Sequence, residues 1–241
     1  MKLWRKNQVL RVKSRQSLKV LIKTFKHAFS KSTIFKYNFI GFNSKAIDAI
    51  YDKYAKGESE ISEEGIEEFL NDLEIDKMDP VTLVISYYMD AKNMGEFTKS
   101  EFKAGFEALE AGSVDDLRAQ TDYLRNQLKS DTEFPKIYRY VFNFLKGDAA
   151  RNLQIDHAIA MWELLLPTKY GKKILPFLQK WKEFLEFQKD SKGINGIKKD
   201  EWNSLLDLFK EKGIDLPGMK PSDEDCWPLL FDSFFEFLNS S

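Results

Sequence analysis

Asp90, Gly95 and Glu101 occupy positions 1, 6 and 12 of the stretch Asp90-Ala91-Lys92-Asn93-Met94-Gly95-Glu96-Phe97-Thr98-Lys99-Ser100-Glu101, with Phe97 at position 8. This is the frame of a twelve-residue calcium loop, with carboxylates at its ends and a glycine for the sharp turn. Positions 3 and 5 should offer oxygen ligands, but they carry Lys92 and Met94. An ammonium inside a cation site repels the ion. The stretch is therefore read as EF-hand-like and metal-free, and a calcium sensor is disfavoured. A second apolar loop residue, Ile61, lies 36 residues upstream of Phe97, about the spacing of paired loops. Its own loop, from Lys56 to Glu63, lacks the ligand order.

Nucleophilic chemistry has one candidate. Cys226 is the only cysteine and falls at the start of an expected helix, whose dipole lowers a thiol pKa. Asp223, Glu224 and Asp225 beside it oppose the thiolate. His27 and His157 have no nucleophile near them in sequence, and neither a zinc-protease HExxH nor a glycine-rich phosphate loop occurs. Without a base, catalysis through Cys226 is disfavoured. One cysteine also excludes an internal disulfide and a cysteine-based zinc site, and suits a reducing compartment. No cofactor is expected.

Acidic residues mark the later helix starts. Asp200 falls in a first turn, and Asp225 suits an N-cap, with Pro228 tolerated just after it. Capping and dipole compensation account for both. They do not account for Asp232, expected mid-helix between Phe231 and Phe234. It is read as a solvated edge position or a contact for a basic partner.

These residues need helices to hold them. Apolar spacing predicts helices over 45–56, 62–74, 80–91, 98–110, 114–129, 133–146, 155–166, 171–189, 199–212 and 225–238, and no strand alternation stands out. The fold class is all-α, a helical bundle with an EF-hand-like, metal-free first half (45–130) and a helical second half (131–241). Twenty Phe and five Trp supply a core. No apolar run approaches the roughly 20 residues of a membrane span.

Charge is divided along the chain. Residues 1–47 hold twelve Lys/Arg and no acid, leaving 25 basic and 38 acidic residues in 48–241, a formal charge of -13. A basic arm (1–44) thus precedes an acidic body. Such a body suits a basic protein surface and not nucleic acid. The arm carries one amphipathic basic helix around Leu18, Leu21, Ile22 and Phe25. It reads as a solvated or docked extension, with import-signal and membrane-surface readings kept open.

Several blocks together resemble the defective-in-cullin-neddylation family: Tyr138–Phe144, Ala158–Leu166, Trp181-Lys182-Glu183-Phe184-Leu185, Lys199–Asp207 and Cys226-Trp227-Pro228-Leu229-Leu230-Phe231-Asp232. The resemblance covers about residues 45–240, the family's potentiating-neddylation domain, which begins with metal-free EF-hand-like helices. It implies an accessory, non-catalytic ligase subunit that promotes transfer of a Nedd8/Rub-type modifier to a cullin lysine. It implies an acidic patch, Asp200, Cys226 and Asp232, for the cullin C-terminal winged-helix subdomain. It further implies an apolar pocket for the acetylated methionine of the neddylation conjugating enzyme, lined by Ile66, Thr82, Ile85, Met89, Ala91, Phe97, Phe144, Met161 and Leu164. A RING subunit would be an indirect partner, and a monomer suits bridging.

The chain departs from the family pattern in places. Cys226 stands where the family usually has Ala, Met161 where an aromatic is common, Met94 where a polar residue is. Lys198 replaces an N-capping Ser, at a cost of about 1 kcal/mol. The arm does not resemble the ubiquitin-binding module of many relatives, so ubiquitin binding is not expected. Residence in cytoplasm or nucleus is expected, with mitochondrial import a minor reading. The competing reading is a helical adaptor for a basic or amphipathic segment, with no part in conjugation.

Overall fold

A computed structural model describes residues 44–147, 150–216 and 227–240. The basic arm (apart from its last residue), His27 and the acidic run with Cys226 lie outside the described residues. Helices dominate: α1 Ser44–Ala55, α2 Glu63–Asp72, α3 Val81–Met89, α4 Lys99–Ala108, α5 Val114–Ala119, α6 Thr121–Gln127, α7 Phe134–Lys146, α8 Ile155–Tyr170, α9 Leu175–Lys192, α10 Lys199–Lys212 and α11 Leu229–Ser240. The 3-10 turn Gly171–Ile174 joins α8 to α9. The all-α expectation holds.

Helices α1, α2 and α4 close on an aromatic cluster. Phe69 meets Tyr54 and Phe102 edge-on, both at 5.2 Å, and Phe102 meets Phe106 at 4.8 Å. Two glycines permit the close packing. A Cβ at Gly65 would stand 2.3 Å from the Tyr54 carbonyl oxygen, and one at Gly105 2.3 Å from Met89 Cγ. Both gaps are far inside van der Waals contact, so any side chain there would push helices apart.

Two-residue ribbons tie the helix pairs. β1 (Glu60–Ile61) runs antiparallel to β2 (Phe97–Thr98), with Ile61 opposite Phe97. The two loop residues picked out by spacing are thus cross-strand partners. The second half repeats the device, which was not expected. There β3 (Leu153–Gln154) pairs with β4 (Gly196–Ile197), with Leu153 opposite Ile197. The helix before each strand ends at a positive-φ residue: Lys56 at 52°, Asp90 at 51°, Gly147 at 64° and Gly193 at 64°. Each strand then runs directly into the next helix.

The second half packs on its tryptophans. Trp202 of α10 stacks on Tyr138 of α7 at 4.6 Å and on Trp162 of α8 at 5.0 Å. Trp181 of α9 meets Trp162 at 5.7 Å and carries Phe231 and Phe234 of α11 at 5.5 and 4.8 Å. Hydrogen bonds reinforce the stack. Tyr138 Oη donates to the Trp202 carbonyl (2.9 Å), Trp202 Nε1 donates to the Tyr138 carbonyl (2.9 Å), and Trp162 Nε1 donates to Tyr138 Oη (2.7 Å).

Several helix boundaries differ from expectation, and the helix expected over 171–189 runs Leu175–Lys192 behind the 3-10 turn. The helix expected over 114–129 breaks at Gln120, whose side chain donates to the Leu109 carbonyl at 2.9 Å. The helix expected to stop at 166 runs on to Tyr170, taking Pro167 into its last turn. The last helix starts at Leu229, not at 225. Pro228 disfavours helical geometry at Trp227, and the Phe231 N–H closes the first turn on the Pro228 carbonyl. Asp232 is therefore a first-turn residue. The mid-helix expectation for it is corrected, and dipole compensation applies to it as to Asp200.

Replacing Tyr138 with Phe should lower stability by about 1–3 kcal/mol. It strands the buried Trp162 N–H and removes the second bond to the Trp202 carbonyl while keeping the ring. A lowered denaturant midpoint with an unchanged slope would show it.

Candidate functional site

The calcium-like loop is closed by the protein's own groups. Lys92 Nζ lies 2.6 Å from Asp90 Oδ2, the first ligand position. Glu101, the last position, accepts the Lys92 backbone N–H on Oε1 (2.9 Å) and the Thr98 N–H on Oε2 (2.8 Å). Glu101 thereby completes a capping box with Thr98 at the start of α4. Among the described residues no group of three or more His, Cys, Asp or Glu side chains is placed to hold a metal. Both end carboxylates already have cationic or N–H partners, and position 3 brings a positive charge in place of an oxygen.

The residues assigned to the apolar pocket come from both halves. Ile66 lies on α2, Thr82, Ile85 and Met89 on α3, Ala91 just after it and Phe97 on β2. Phe144 lies on α7, and Met161 and Leu164 on α8. Ile85, Met89, Ala91, Phe97 and Phe144 are buried, none more than 5% exposed. Ile66, Thr82, Met161 and Leu164 are half-buried. The Thr82 hydroxyl donates to the Asp79 carbonyl at 2.9 Å, so its polarity is used locally. The halves are clasped where this set meets: Tyr140 donates to the Ala91 carbonyl at 2.8 Å and stacks on Phe144 at 5.4 Å. Desolvation holds the Tyr140 hydroxyl far above its ordinary pKa, so it remains a neutral donor.

The two described residues assigned to the acidic patch lie at helix starts. Asp200 and Asp232 are both exposed, each in a first turn. Lys198 offers α10 no side-chain cap, but Glu201 at the third helical position accepts the Lys198 N–H at 2.7 Å. Half of a capping box therefore survives the missing serine. The two starts face a common cavity, lined by Lys198 and Glu201 from α10 and by Leu229, Leu230 and Ser233 from α11. Cys226, the third member of the patch, lies outside the described residues. His157 is exposed on the first turn of α8.

The cavity itself escaped sequence reasoning. Glu201 carried a signal, as an acid three residues into a helix. Gln188 and Leu229 carried none: one reads as a surface amide and the other as a core leucine, yet Gln188 is buried and Leu229 is 82% exposed.

The described residues define an all-helical module with two exposed acidic helix starts, and comparison with known proteins places it. Residues 116–237 match the family model described as "Cullin binding". The chain is 36% identical over 207 residues to DCN1-like protein 4 of Homo sapiens, covering 86% of this chain and 67% of that protein. It is 35% identical over 197 residues to DCN1-like protein 4 of Danio rerio (81% and 66%). To DCN1-like protein 3 of Rattus norvegicus it is 34% identical over 182 residues (75% and 57%). The chain belongs to the cullin-binding, DCN1-like family. It spans about two thirds of the length of the first two relatives and somewhat less of the third.

Neither calcium nor EDTA should move the melting temperature. A calcium-dependent rise, read by calorimetry, would show that Lys92 yields its place to the ion.

Proposed function

We propose that this chain is a non-catalytic scaffold that promotes transfer of a Nedd8/Rub-type modifier onto a cullin. The observation that carries the reading is the cullin-binding match over 116–237, which contains both exposed acidic helix starts. Asp200 and Asp232 receive basic groups of the cullin C-terminal winged-helix subdomain. Cys226 between them in sequence acts as a small apolar residue that lets the partner approach closely.

The second partner is the N-acetylated conjugating enzyme, held by the apolar set that spans both halves. None of the nine residues carries a charge. Acetylation removes the charge of the amino terminus, so its burial avoids the large desolvation cost of an ammonium. A RING subunit takes part indirectly, through the same complex. Holding cullin and conjugating enzyme together turns a loose encounter into an oriented, near-unimolecular transfer. No residue of this chain needs to touch the reacting atoms.

Titrating a cullin C-terminal domain into the full chain should give saturable heat. Asp232→Arg should weaken that binding at least about 30-fold, since it puts a like charge where a paired one stood. No binding by the folded wild type would leave a helical adaptor for some other segment. In a reconstituted transfer assay Cys226→Ala should still promote modification. Complete loss of activity would make the chain a thioester-forming enzyme instead.

A further inference from the structure

Three hydrogen bonds hold the turn that follows α3, and they differ in where they come from. The Ala91 N–H donates to the Ser86 carbonyl at 3.1 Å, and the Lys92 N–H donates to Glu101 Oε1 at 2.9 Å. Both acceptors belong to the first half. The third bond crosses to the second half, where Tyr140 Oη of α7 donates to the Ala91 carbonyl at 2.8 Å. The Tyr140 ring lies at the same seam. It meets Tyr87 of α3 edge-on at 5.5 Å and stacks at 5.4 Å on Phe144, one turn along its own helix. The end of α3 and its turn carry Met89 and Ala91 of the apolar set, and α7 carries Phe144.

Ring and hydroxyl constrain this seam differently. Aromatic pairs hold over a range of offsets and separations. A hydrogen bond weakens steeply once its angle is lost. The hydroxyl, more than the ring, therefore fixes Ala91 relative to Phe144. Ala91 is 1% exposed, so its carbonyl has no water to turn to if Tyr140 releases it.

We propose that Tyr140 is a positioning residue for the conjugating enzyme's acetylated methionine, an inference that rests on the apolar-pocket reading above. Its hydroxyl sets the gap between the Ala91 turn and Phe144, and it need not touch the ligand. Walls held at one separation are ready before the ligand arrives, so no binding energy goes into organising them. Without the bond the turn drifts from α7, and the site is drawn together anew at each encounter. Asp200 and Asp232 stand outside this effect. They sit on α10 and α11, and α7 meets α10 through Tyr138 and Phe142 instead.

The test uses the full chain with Tyr140→Phe, and with Tyr138→Phe as a control that loses a buried hydroxyl at the tryptophan stack. The probe is an N-acetylated peptide of the conjugating enzyme's amino terminus, read by calorimetry. Tyr140→Phe should bind it roughly tenfold more weakly. Its affinity for a cullin C-terminal domain should match wild type, and Tyr138→Phe should keep the peptide affinity. In a reconstituted transfer assay, Tyr140→Phe should raise the conjugating-enzyme concentration for half-maximal transfer roughly tenfold at an unchanged maximal rate. If wild type binds the peptide and Tyr140→Phe binds it equally, the bond is a seam of the core and the pocket reading stands without this inference. A fall in peptide and cullin affinities together, a lower maximal rate, or an equal loss in Tyr138→Phe would reduce Tyr140 to keeping the fold and overturn it. If wild type does not bind the peptide, the pocket reading fails and this inference falls with it.

Discussion

The second half depends on one buried hydroxyl. Tyr138 Oη takes the Trp162 indole N–H and gives its own proton to the Trp202 carbonyl, so three helices meet at one oxygen. Burial raises its pKa well above the ordinary value, which keeps it neutral and both donor and acceptor. The return bond from Trp202 to the Tyr138 carbonyl makes the link between α7 and α10 reciprocal. That bond fixes translation as well as distance, because sliding either helix by one residue would break both contacts. Asp200 lies two residues before Trp202, so the same node sets where the acidic turn projects.

A repeated solution to loop closure governs the rest. In each half two helix–loop–strand–helix units face each other through a two-residue ribbon. In the first half, lysine and carboxylates close the loop where metal-binding relatives of the motif would use an ion. In the second half, positive-φ glycines at Gly147 and Gly193 end the helices, and the Lys146 ammonium spans the first loop by donating to the Gly147 and Ala150 carbonyls.

Long periodic elements were legible in the sequence, and so was the spacing of the loops that hold Ile61 and Phe97, because a glycine and flanking acids marked one of them; that the two residues pair as strands was not. The second ribbon was not legible. Two residues cannot display alternation, and Leu153 and Ile197 are spaced no differently from core residues of neighbouring helices. The start of α11 was misplaced because Asp225 offered a good cap, whereas the decisive constraint was Pro228. The apolar set shows the limit most clearly. Composition cannot separate a core residue from a pocket residue, and five of the nine are buried as deeply as the core. The cavity at the acidic patch was invisible for the opposite reason, since it arises from how α9, β4, α10 and α11 meet.

Helix α7 touches both proposed partner sites. Tyr140 and Phe144 clasp the apolar set, while Tyr138 and Phe142 pack against Trp202 beside the acidic turn. The two sites are thus mounted on one rigid rod of thirteen residues, about 20 Å long. A rod does not relay a signal; it sets a distance. The two bound proteins would be registered as two parts are in a jig, and the span between them would vary little from one binding event to the next.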